Sequence, residues 1–290
     1  MVLALVILNY KTYNDSYELV KSIYSNGLSD EVTIFLVDNE TNENELSELK
    51  CSIIEFGINI YILPQEHNLG FARGMNIGID KAREEGFDFV VCSNNDVLIP
   101  PNFSFTGLIQ PYQDNSRIAC IGPQIKSLDS ISQNPLYLSD PFGSTAKKIM
   151  IKNFFLLPII GCYIYVLRGL LKEMLVREGA RKEVEKKDVF KQENSGEVYS
   201  LHGSFFALTP AYFAHYNNMD SNTFLYYEEL ILSKRIENVG LTCHLNANTV
   251  VVHKEDSSTN ELLGSGTLRK SLFVLKENYR SLAYYLKNYI

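Results

Sequence analysis

Three apolar segments near the start of the chain each end in polar residues: residues 3–11 read LALVILNYK, residues 33–40 read TIFLVDNE, and residues 87–96 read FDFVVCSNND. Between them, apolar residues recur every three or four positions around residues 16–26 and 75–82, which is the period of a helix. Short apolar strands separated by helices predict an α/β fold, in which helices cover both faces of a mostly parallel, Rossmann-like sheet.

We expect the polar residues that follow these strands to meet, because parallel strands end at one edge of a sheet and ligands bind there. A single cluster is explained as well by the preference of Asn and Asp for turns, but three equivalent clusters favour a ligand site. The first turn, NYKTY at residues 9–13, lacks the glycine pattern of a dinucleotide site, and the sequence has no P-loop motif, which excludes NAD enzymes and P-loop NTPases. The clusters are Asn9 with Tyr10, Asp38 with Asn39, and Asn94 with Asn95 and Asp96.

The composition limits the partners and the location. With 34 acidic and 27 basic residues the chain has a formal charge of -7, so it has no general attraction for the phosphates of a nucleic acid. The five cysteines are scattered, which indicates neither a zinc site nor a disulfide framework and favours a reducing, cytoplasmic location. The apolar start has no basic segment before it and no cleavage site after it, so we interpret it as a buried strand.

The length of 290 residues fits one elaborated domain better than two independent ones. We place this domain at residues 1–260, with a first half at 1–125, a variable helical insertion at 126–197 and a second half at 198–260. In the second half, residues 202–208 are predicted as a strand, 227–238 as a helix and 248–253 as a closing strand. Residues 261–290 are predicted to be a C-terminal helical extension, with the helix itself at 268–289.

The insertion contains an apolar stretch at 154–171, FFLLPIIGCYIYVLRGLL, whose length is marginal for spanning a bilayer. One interpretation is a pair of short helices packed on the core, or on a second copy of the chain in a homodimer. The other places residues 147–172 in a membrane interface, peripheral to the inner face of the membrane, where a lipid-linked acceptor could reach the site. Basic residues that would lie near the headgroups are Lys147, Lys148, Lys152, Arg168 and Lys172.

An ordered set of segments resembles a family 2 inverting glycosyltransferase with the GT-A fold, and it is most similar to the bacterial rhamnosyltransferase-like branch. The segments are LNYK, VDNE, HNLGFARGMNIGID, SNNDV, HGSFFAL, FLYYEELIL and VVVHKEDSST, and they run from about residue 3 to residue 259 with a gap over 127–197. The resemblance implies transfer of one sugar from a UDP- or dTDP-sugar to a hydroxyl on a glycan, glycoprotein or lipid-linked saccharide. It assigns nucleotide-sugar binding to residues 1–125 and acceptor binding and catalysis to residues 198–260.

The resemblance also implies a nucleotide-sugar pocket. Asp38 would accept a hydrogen bond from the pyrimidine or ribose, with Asn9 and Tyr10 beside the base. Arg73 would face the nucleotide as a charged fork, with glycines on either side that allow close approach of the backbone; an exposed helix residue is the alternative interpretation. The full set implied for this pocket is Asn9, Tyr10, Asp38, Asn68, Gly70, Arg73, Asn94 and Asn95.

A divalent metal, Mn²⁺ or Mg²⁺, is the cofactor that the resemblance implies. Asp96 matches the last residue of the family's D-x-D motif and would bind the ion directly, while Asn94 replaces the first aspartate and would contact the sugar or support the site. His253 matches a histidine that completes the metal site. The alternative for Asn94 to Asp96 is a simple turn before two prolines, which their place in the ordered set disfavours; the alternative for His253, which is the commoner one for a strand-end histidine taken alone, is a surface or packing residue.

Glu229 matches the general base that takes the proton from the acceptor hydroxyl, although the family usually has Asp there, and Glu228 is the reserve candidate. Carboxylates in a first helical turn are also favoured by the helix dipole, whatever the function. His202 and Gly203 match the acceptor side, where a glycine would let the sugar approach. The alternative to an enzyme is a non-catalytic, GT-A-like subunit that binds a partner in a glycan assembly complex.

Overall fold

The computed structural model describes residues 2–143, 194–254 and 267–290. Our predictions for the apolar stretch at 154–171, for the membrane or dimer contact of residues 147–172 and for helices within 144–193 lie outside these ranges. Within the described ranges, no helix combines the length and the apolar content needed to cross a bilayer.

The first part of the chain alternates strands with helices, as the apolar periodicity predicts. Its elements are β1 (Leu3–Asn9), α1 (Tyr13–Ser25), β2 (Val32–Asn39), α2 (Glu43–Ile53) with a short 3-10 turn (Ile54–Phe56), β3 (Ile60–Gln65), α3 (Phe71–Glu84), β4 (Val90–Asn94), β5 (Val97–Leu98), α4 (Phe105–Ile109), α5 (Pro111–Asp114) and β6 (Ile118–Ser127). The remaining elements are β7 (Gly196–Val198), β8 (Phe205–Leu208), α6 (Pro210–Phe213), α7 (Glu228–Asn238), β9 (Thr242–His253) and α8 (Thr267–Tyr289).

The strands of the described residues form one mixed sheet in the order β3-β2-β1-β4-β8-β6-β9-β5, with β7 paired to β9. β1 to β4 are mutually parallel, while β8 runs antiparallel to both β4 and β6. β6 and β9 are parallel and end together, with Ser127 opposite His253. The carboxyl ends of β1, β2, β4, β6 and β9 and the amino end of β8 therefore lie along one edge of the sheet.

The core lies on both faces of this sheet, which is why its parallel strands are apolar without alternation. All eight residues of β2 are buried. Helices α1 and α2 pack on one face through residues such as Leu19 and Leu46, and α3 packs on the other through Met75 and Ile79. Close packing of α3 against β1 depends on a small residue, because a Cβ atom added at Gly78 would lie 2.3 Å from Val6 Cγ1.

Several predictions about elements are confirmed. The helices expected at 16–26, 75–82, 227–238 and 268–289 are present as α1, α3, α7 and α8. α3 ends before Gly86, which has the positive φ of 86° expected at a helix stop.

The structure adds two details between the halves of the fold. β6 continues through Pro123 to Ser127, where it pairs with β9. The described residues 128–143 and 194–197 contain no helix, and β7 begins at Gly196.

Candidate active site

A cavity of about 590 Å³ opens at the edge of the sheet where these strand ends meet. Half of the residues predicted for the site line it, although they come from four separate parts of the chain. Those residues are Asn94, Asp96, His202, Gly203, Glu228, Glu229 and His253. No lysine or arginine of the described residues lines this cavity, so its charge comes from carboxylates.

Asp96 and His253 face each other in the cavity because β5, which begins one residue after Asp96, pairs antiparallel with the end of β9. Their Oδ1 and Nε2 atoms are 3.2 Å apart. The other ring nitrogen, Nδ1, lies 2.9 Å from Oε1 of Gln133; an amide oxygen only accepts, so Nδ1 donates and carries the proton. Nε2 then presents its lone pair toward the Asp96 carboxylate, an arrangement that a proton or a cation between the two atoms would stabilise.

His202 lies beside this pair, with its ring centroid 5.5 Å from that of His253. Its Nδ1 accepts a hydrogen bond of 3.1 Å from the backbone N–H of Ser204, so the proton of the neutral ring is on Nε2. Burial, and then the nearby His253, lower the pKa of His202 to about 4, which keeps the ring neutral. Among the described residues, no three His, Cys, Asp or Glu side chains lie close enough together to hold a metal ion.

Helix α7 brings two carboxyl groups to the cavity in its first turn. The chain enters this helix through two tyrosines in the left-handed conformation, Tyr226 at φ 72° and Tyr227 at φ 71°. Such conformations typically cost about 1–3 kcal/mol at a residue other than glycine and are common at functional sites. Here they turn the chain so that both glutamates reach the cavity.

The two glutamates have different surroundings. Glu228 is only 5% exposed, and its Oε1 meets no hydrogen-bond partner among the described residues. Burial, together with the neighbouring negative Glu229, raises the pKa of Glu228 to about 8. Glu229 is half-buried, and burial raises the pKa of its carboxyl although the backbone N–H of Gly203 donates a hydrogen bond to it.

Gly203 is small because the carboxyl group of Glu229 occupies the space beside it. A Cβ atom at position 203 would lie 2.7 Å from Glu229 Oε1, closer than real contacts of this kind. This differs from the sequence interpretation, in which the glycine leaves room for a sugar. The turn before β8 therefore positions a carboxylate, and it does so because β8 runs antiparallel beside β4.

The three polar clusters at the strand ends converge, as predicted, in a buried network. Asn9 Nδ2 donates to Asp38 Oδ1 at 2.7 Å, and Asn95 Nδ2 donates to Asn9 Oδ1 at 2.8 Å. Tyr13 OH donates to the other oxygen of Asp38, at 2.8 Å. Asp38 is fully buried and both its oxygens accept hydrogen bonds within the protein, so it joins the strand ends here, and its expected hydrogen bond to the nucleotide stays a prediction.

Tyr10 lies above this network, half-buried at the end of β1. The next residue, Lys11, has φ 58° and pairs with Glu40, which has φ 89°; their Nζ and Oε1 atoms are 2.7 Å apart. The Lys11 ammonium also lies 5.2 Å from the centroid of the Tyr10 ring. Two residues with strained backbones at adjacent strand ends thus form the outer surface over the buried network.

Of the segment 68–74, Phe71 lines the cavity, whereas Asn68, Gly70 and Arg73 are tied to other parts of the fold. Asn68 Oδ1 accepts a hydrogen bond of 2.8 Å from Gly70 N–H, and Arg73 is exposed, with its Nε donating to the backbone oxygen of Ser221 at 3.0 Å. A Cβ atom at Gly70, where φ is 82°, would lie 2.3 Å from the backbone oxygen of Phe224. The close approach that this glycine permits is therefore to the protein's own backbone, and its expected approach to the nucleotide stays a prediction.

Sequence reasoning missed several residues that line the cavity, among them Gln133, Tyr137, Phe142 and Asn278. The first three lie in the irregular segment after β6, and Asn278 lies on helix α8. No periodicity or motif distinguishes them, because their position depends on which strands pair and on where α8 docks.

Comparison with known proteins gives a family and a fold. The family model described as Glycosyl transferase family 2 matches residues 5–175, which is more than half of the chain. A search of curated proteins with this sequence finds no match.

Solved structures with a similar fold extend over nearly the whole chain. One is the crystal structure of GalNAc-T7 with UDP, GalNAc and Mn²⁺, at 14% identity and a TM-score of 0.58, covering 97% of this chain and 49% of that one. Another is the mannosyltransferase PcManGT from Pyrobaculum calidifontis in complex with GDP-Man and Mn²⁺, at 10% identity and a TM-score of 0.51, covering 99% and 70%. A third is S. aureus TarS 1–349, at 11% identity and a TM-score of 0.51, covering 99% and 74%. This chain spans about half the length of the first of these structures.

Proposed function

The chain belongs to glycosyl transferase family 2 and has the GT-A fold, and on that premise we propose that it transfers one sugar from a UDP- or dTDP-sugar to an acceptor hydroxyl, with inversion at the sugar carbon. One observation carries the proposal: a single cavity is lined by both the Asp96–His253 pair and the Glu228–Glu229 pair. A direct displacement needs a group that holds the leaving phosphate and a base on the opposite side of the sugar.

Asp96 and His253 would hold a divalent cation, Mn²⁺ or Mg²⁺. Their oxygen and nitrogen converge at 3.2 Å, and the hydrogen bond from Nδ1 to Gln133 leaves Nε2 available as a ligand. When bound, the ion would neutralise the negative charge of the leaving diphosphate. Two protein ligands are enough for an ion that also takes phosphate oxygens and water. The absence of basic side chains among the described lining residues supports this need for a cation.

Glu229 would act as the general base. In this step the acceptor oxygen forms a bond to the sugar carbon, the bond from that carbon to the phosphate oxygen breaks, and the acceptor proton passes to the Glu229 carboxylate. A raised pKa brings a carboxylate closer to the range in which a base is effective at neutral pH. Glu228, with an unpartnered Oε1 in the same cavity, is the reserve candidate.

The nucleotide would lie over the ends of β1 and β2, with its base against the Tyr10 ring. Asn9, Asp38 and Asn95 would set the shape of this surface from below, through the hydrogen bonds that join them. Asn94, which lines the cavity, would contact the donor sugar. Candidate donors are dTDP-rhamnose, UDP-glucose and UDP-galactose, and the acceptor would be a glycan, a glycoprotein or a lipid-linked saccharide.

The test is a calorimetric titration of UDP and dTDP with Mn²⁺ or Mg²⁺, followed by a hydrolysis and transfer screen of the matching sugar donors. We expect one nucleotide to bind only with metal, Asp96→Asn to abolish this binding, and Glu229→Gln to bind normally but lose turnover by about 10²–10⁴-fold. Glu45→Gln, a change on the exposed face of α2, is the matched control.

Each failure points to a different part of the proposal. If no nucleotide binds with either metal, the enzyme proposal fails and a non-catalytic partner subunit becomes the better account. If Glu229→Gln keeps its turnover while Glu228→Gln loses it, the base is Glu228. Unchanged nucleotide binding by Asp96→Asn would refute the metal assignment.

A further inference from the structure

The C-terminal helix forms one wall of the cavity, although it lies outside the residues that match the family model. Asn278 of α8 lines the cavity beside Tyr227 and Glu228. The family model ends at residue 175, more than ninety residues before α8 begins at Thr267. This wall is therefore built by residues that the family model does not cover.

Helix α8 is anchored to the segment that leads into the two glutamates. Ser281 Oγ donates to the backbone oxygen of Leu225 at 2.7 Å, and Tyr284 OH donates to Asp220 Oδ2 at 2.8 Å. The fully buried Tyr285 packs against two cavity residues, with ring centroids 6.1 Å from Tyr227 and 5.3 Å from Phe142. The position of α8 is therefore coupled to the position of the cavity walls.

The side of the cavity between α8 and the segment after β6 combines aromatic rings with polar groups that have free hydrogen-bonding capacity. Tyr137 is 37% exposed, and it lines the cavity together with Tyr227. Asn278 uses its Nδ2 to donate to the backbone oxygen of Val274 at 2.9 Å, so its Oδ1 and second N–H are available to a ligand. Glu228 Oε1 has no partner among the described residues and is nine-tenths buried in this cavity.

We infer that this side of the cavity is an acceptor subsite for a saccharide, in which Tyr137 and Tyr227 contact a sugar ring and Asn278 selects a hydroxyl group. A pyranose has an apolar face of C–H groups that suits the negative face of an aromatic ring, and a rim of hydroxyls that suits amide and carboxyl groups. Specific pockets typically combine such apolar walls with a few placed polar groups. The inference rests on the proposed function for the direction of transfer, but binding of the acceptor is tested without transfer.

The experiment measures binding of p-nitrophenyl glycosides of common hexoses, N-acetylhexosamines and rhamnose to the full chain by saturation-transfer NMR, in the presence of saturating UDP and Mn²⁺. Asn278→Ala is compared with Asn288→Ala. Asn288 is a matched control because its Nδ2, like that of Asn278, donates a hydrogen bond to the backbone oxygen four residues earlier, here at 2.8 Å. Unlike Asn278, Asn288 is exposed and does not line the cavity. Both variants lose the same intrahelical hydrogen bond, and Asn278→Ala alone changes the cavity.

We expect at least one glycoside to bind the native chain while UDP is present, Asn278→Ala to weaken that binding by about tenfold, and Asn288→Ala to leave it within about twofold. UDP–Mn²⁺ affinity should be unchanged in both variants. The inference is overturned if no glycoside binds, if UDP displaces the glycoside, or if the two variants bind it equally.

Failure here is distinguishable from failure of the proposed function. If UDP–Mn²⁺ binds and no glycoside does, the saccharide subsite is wrong and the donor proposal stands. If UDP–Mn²⁺ does not bind, the proposed function fails, and titration of the glycosides alone, with the same pair of variants, still decides the subsite. A serine- or threonine-containing peptide that binds in place of every glycoside would also overturn the saccharide assignment.

Discussion

Replacing Gly203 with alanine should separate catalysis from binding, because the three atoms nearest to the added methyl group all belong to the side chain of Glu229. The new Cβ would lie 2.7 Å from Oε1 and 3.3 Å from both Cδ and Cγ of that side chain. Gly203 lacks a positive φ, so the backbone itself accepts alanine. To restore an ordinary contact distance, the carboxyl group has to move away by several tenths of an ångström, and the hydrogen bond from the Gly203 N–H lengthens with it.

The size of the effect follows from how strongly catalysis depends on position. Misplacement of a catalytic group by about 1 Å can reduce a rate by about 10²-fold, so a shift of about half that distance should lower kcat by about tenfold or somewhat more. In the proposed arrangement the nucleotide lies over the ends of β1 and β2 and does not contact residue 203, so its Kd should change by less than about twofold.

The assay compares kcat and nucleotide Kd for the native chain, Gly203→Ala and Gly107→Ala, using the donor found in the screen. Gly107 is a matched control, since a Cβ there lies no closer than 3.4 Å to any atom and the residue is remote from the cavity. A second test combines Gly203→Ala with Glu229→Asp, because the shorter side chain relieves the contact. The two changes should then be non-additive, with the double variant less impaired than the sum of the single effects.

Two results would refute this reasoning. If Gly203→Ala keeps the native kcat, the carboxyl group of Glu229 either moves freely or takes no part in the reaction. Simple additivity in the double variant would mean that residues 203 and 229 do not interact in the way the contact indicates.

Three further predictions concern stability and pH. Burial raises the pKa of Glu228 to about 8, so between pH 4.5 and 8 the folded chain holds a proton on this group that the unfolded chain releases. The Tm of the native chain should therefore fall as pH rises over this interval, and the Tm of Glu228→Gln should fall less. Parallel Tm profiles of the two proteins would contradict this assignment. In urea titrations, Gly70→Ala should lower the free energy of unfolding by about 2 kcal/mol or more, because the new Cβ would lie 2.3 Å from a backbone oxygen. Gly86→Ala has a similar positive φ but meets no atom within 4 Å, so it should lower the free energy of unfolding by only about 1 kcal/mol. Equal losses in the two variants would show that the close contact at Gly70 is unimportant. Tyr13→Phe removes a hydrogen bond to the buried Asp38 and should lower the free energy of unfolding by about 1–3 kcal/mol in the same titrations. A decrease below about 0.5 kcal/mol would show that the network does not depend on this hydroxyl.

The first half of the fold was predictable because its signals are local. Each parallel strand is a continuous apolar run, and α3 carries its apolar face and its glycine stop within a few turns of chain. Convergence of the polar clusters followed from the geometry of parallel strands alone, and the bond of 2.7 Å between Asn9 and Asp38 confirms it. The partners of these polar side chains could not be predicted in the same way, because the hydrogen bond from Tyr13 to the buried Asp38 depends on how α1 packs.

The second half of the site depended on pairings between distant residues. No local pattern shows that β8 runs antiparallel between β4 and β6, yet this pairing brings Gly203 beside Glu229. The same holds for Tyr137, whose backbone is held by hydrogen bonds to Tyr199 and Ser200, and for Asn278, which reaches the cavity because α8 docks on the chain before α7.

The sequence by itself determined the family, the parallel α/β core and the residue types that meet at the strand ends. Apolar periodicity and short motifs depend only on residues that are close together in the sequence. Only the tertiary structure decided which of those residues face the cavity, which are buried beneath it, and why Gly203 and Gly70 are glycines. These properties depend on distances between atoms that are far apart in the chain, and such distances are set by packing and strand pairing after the local elements have formed.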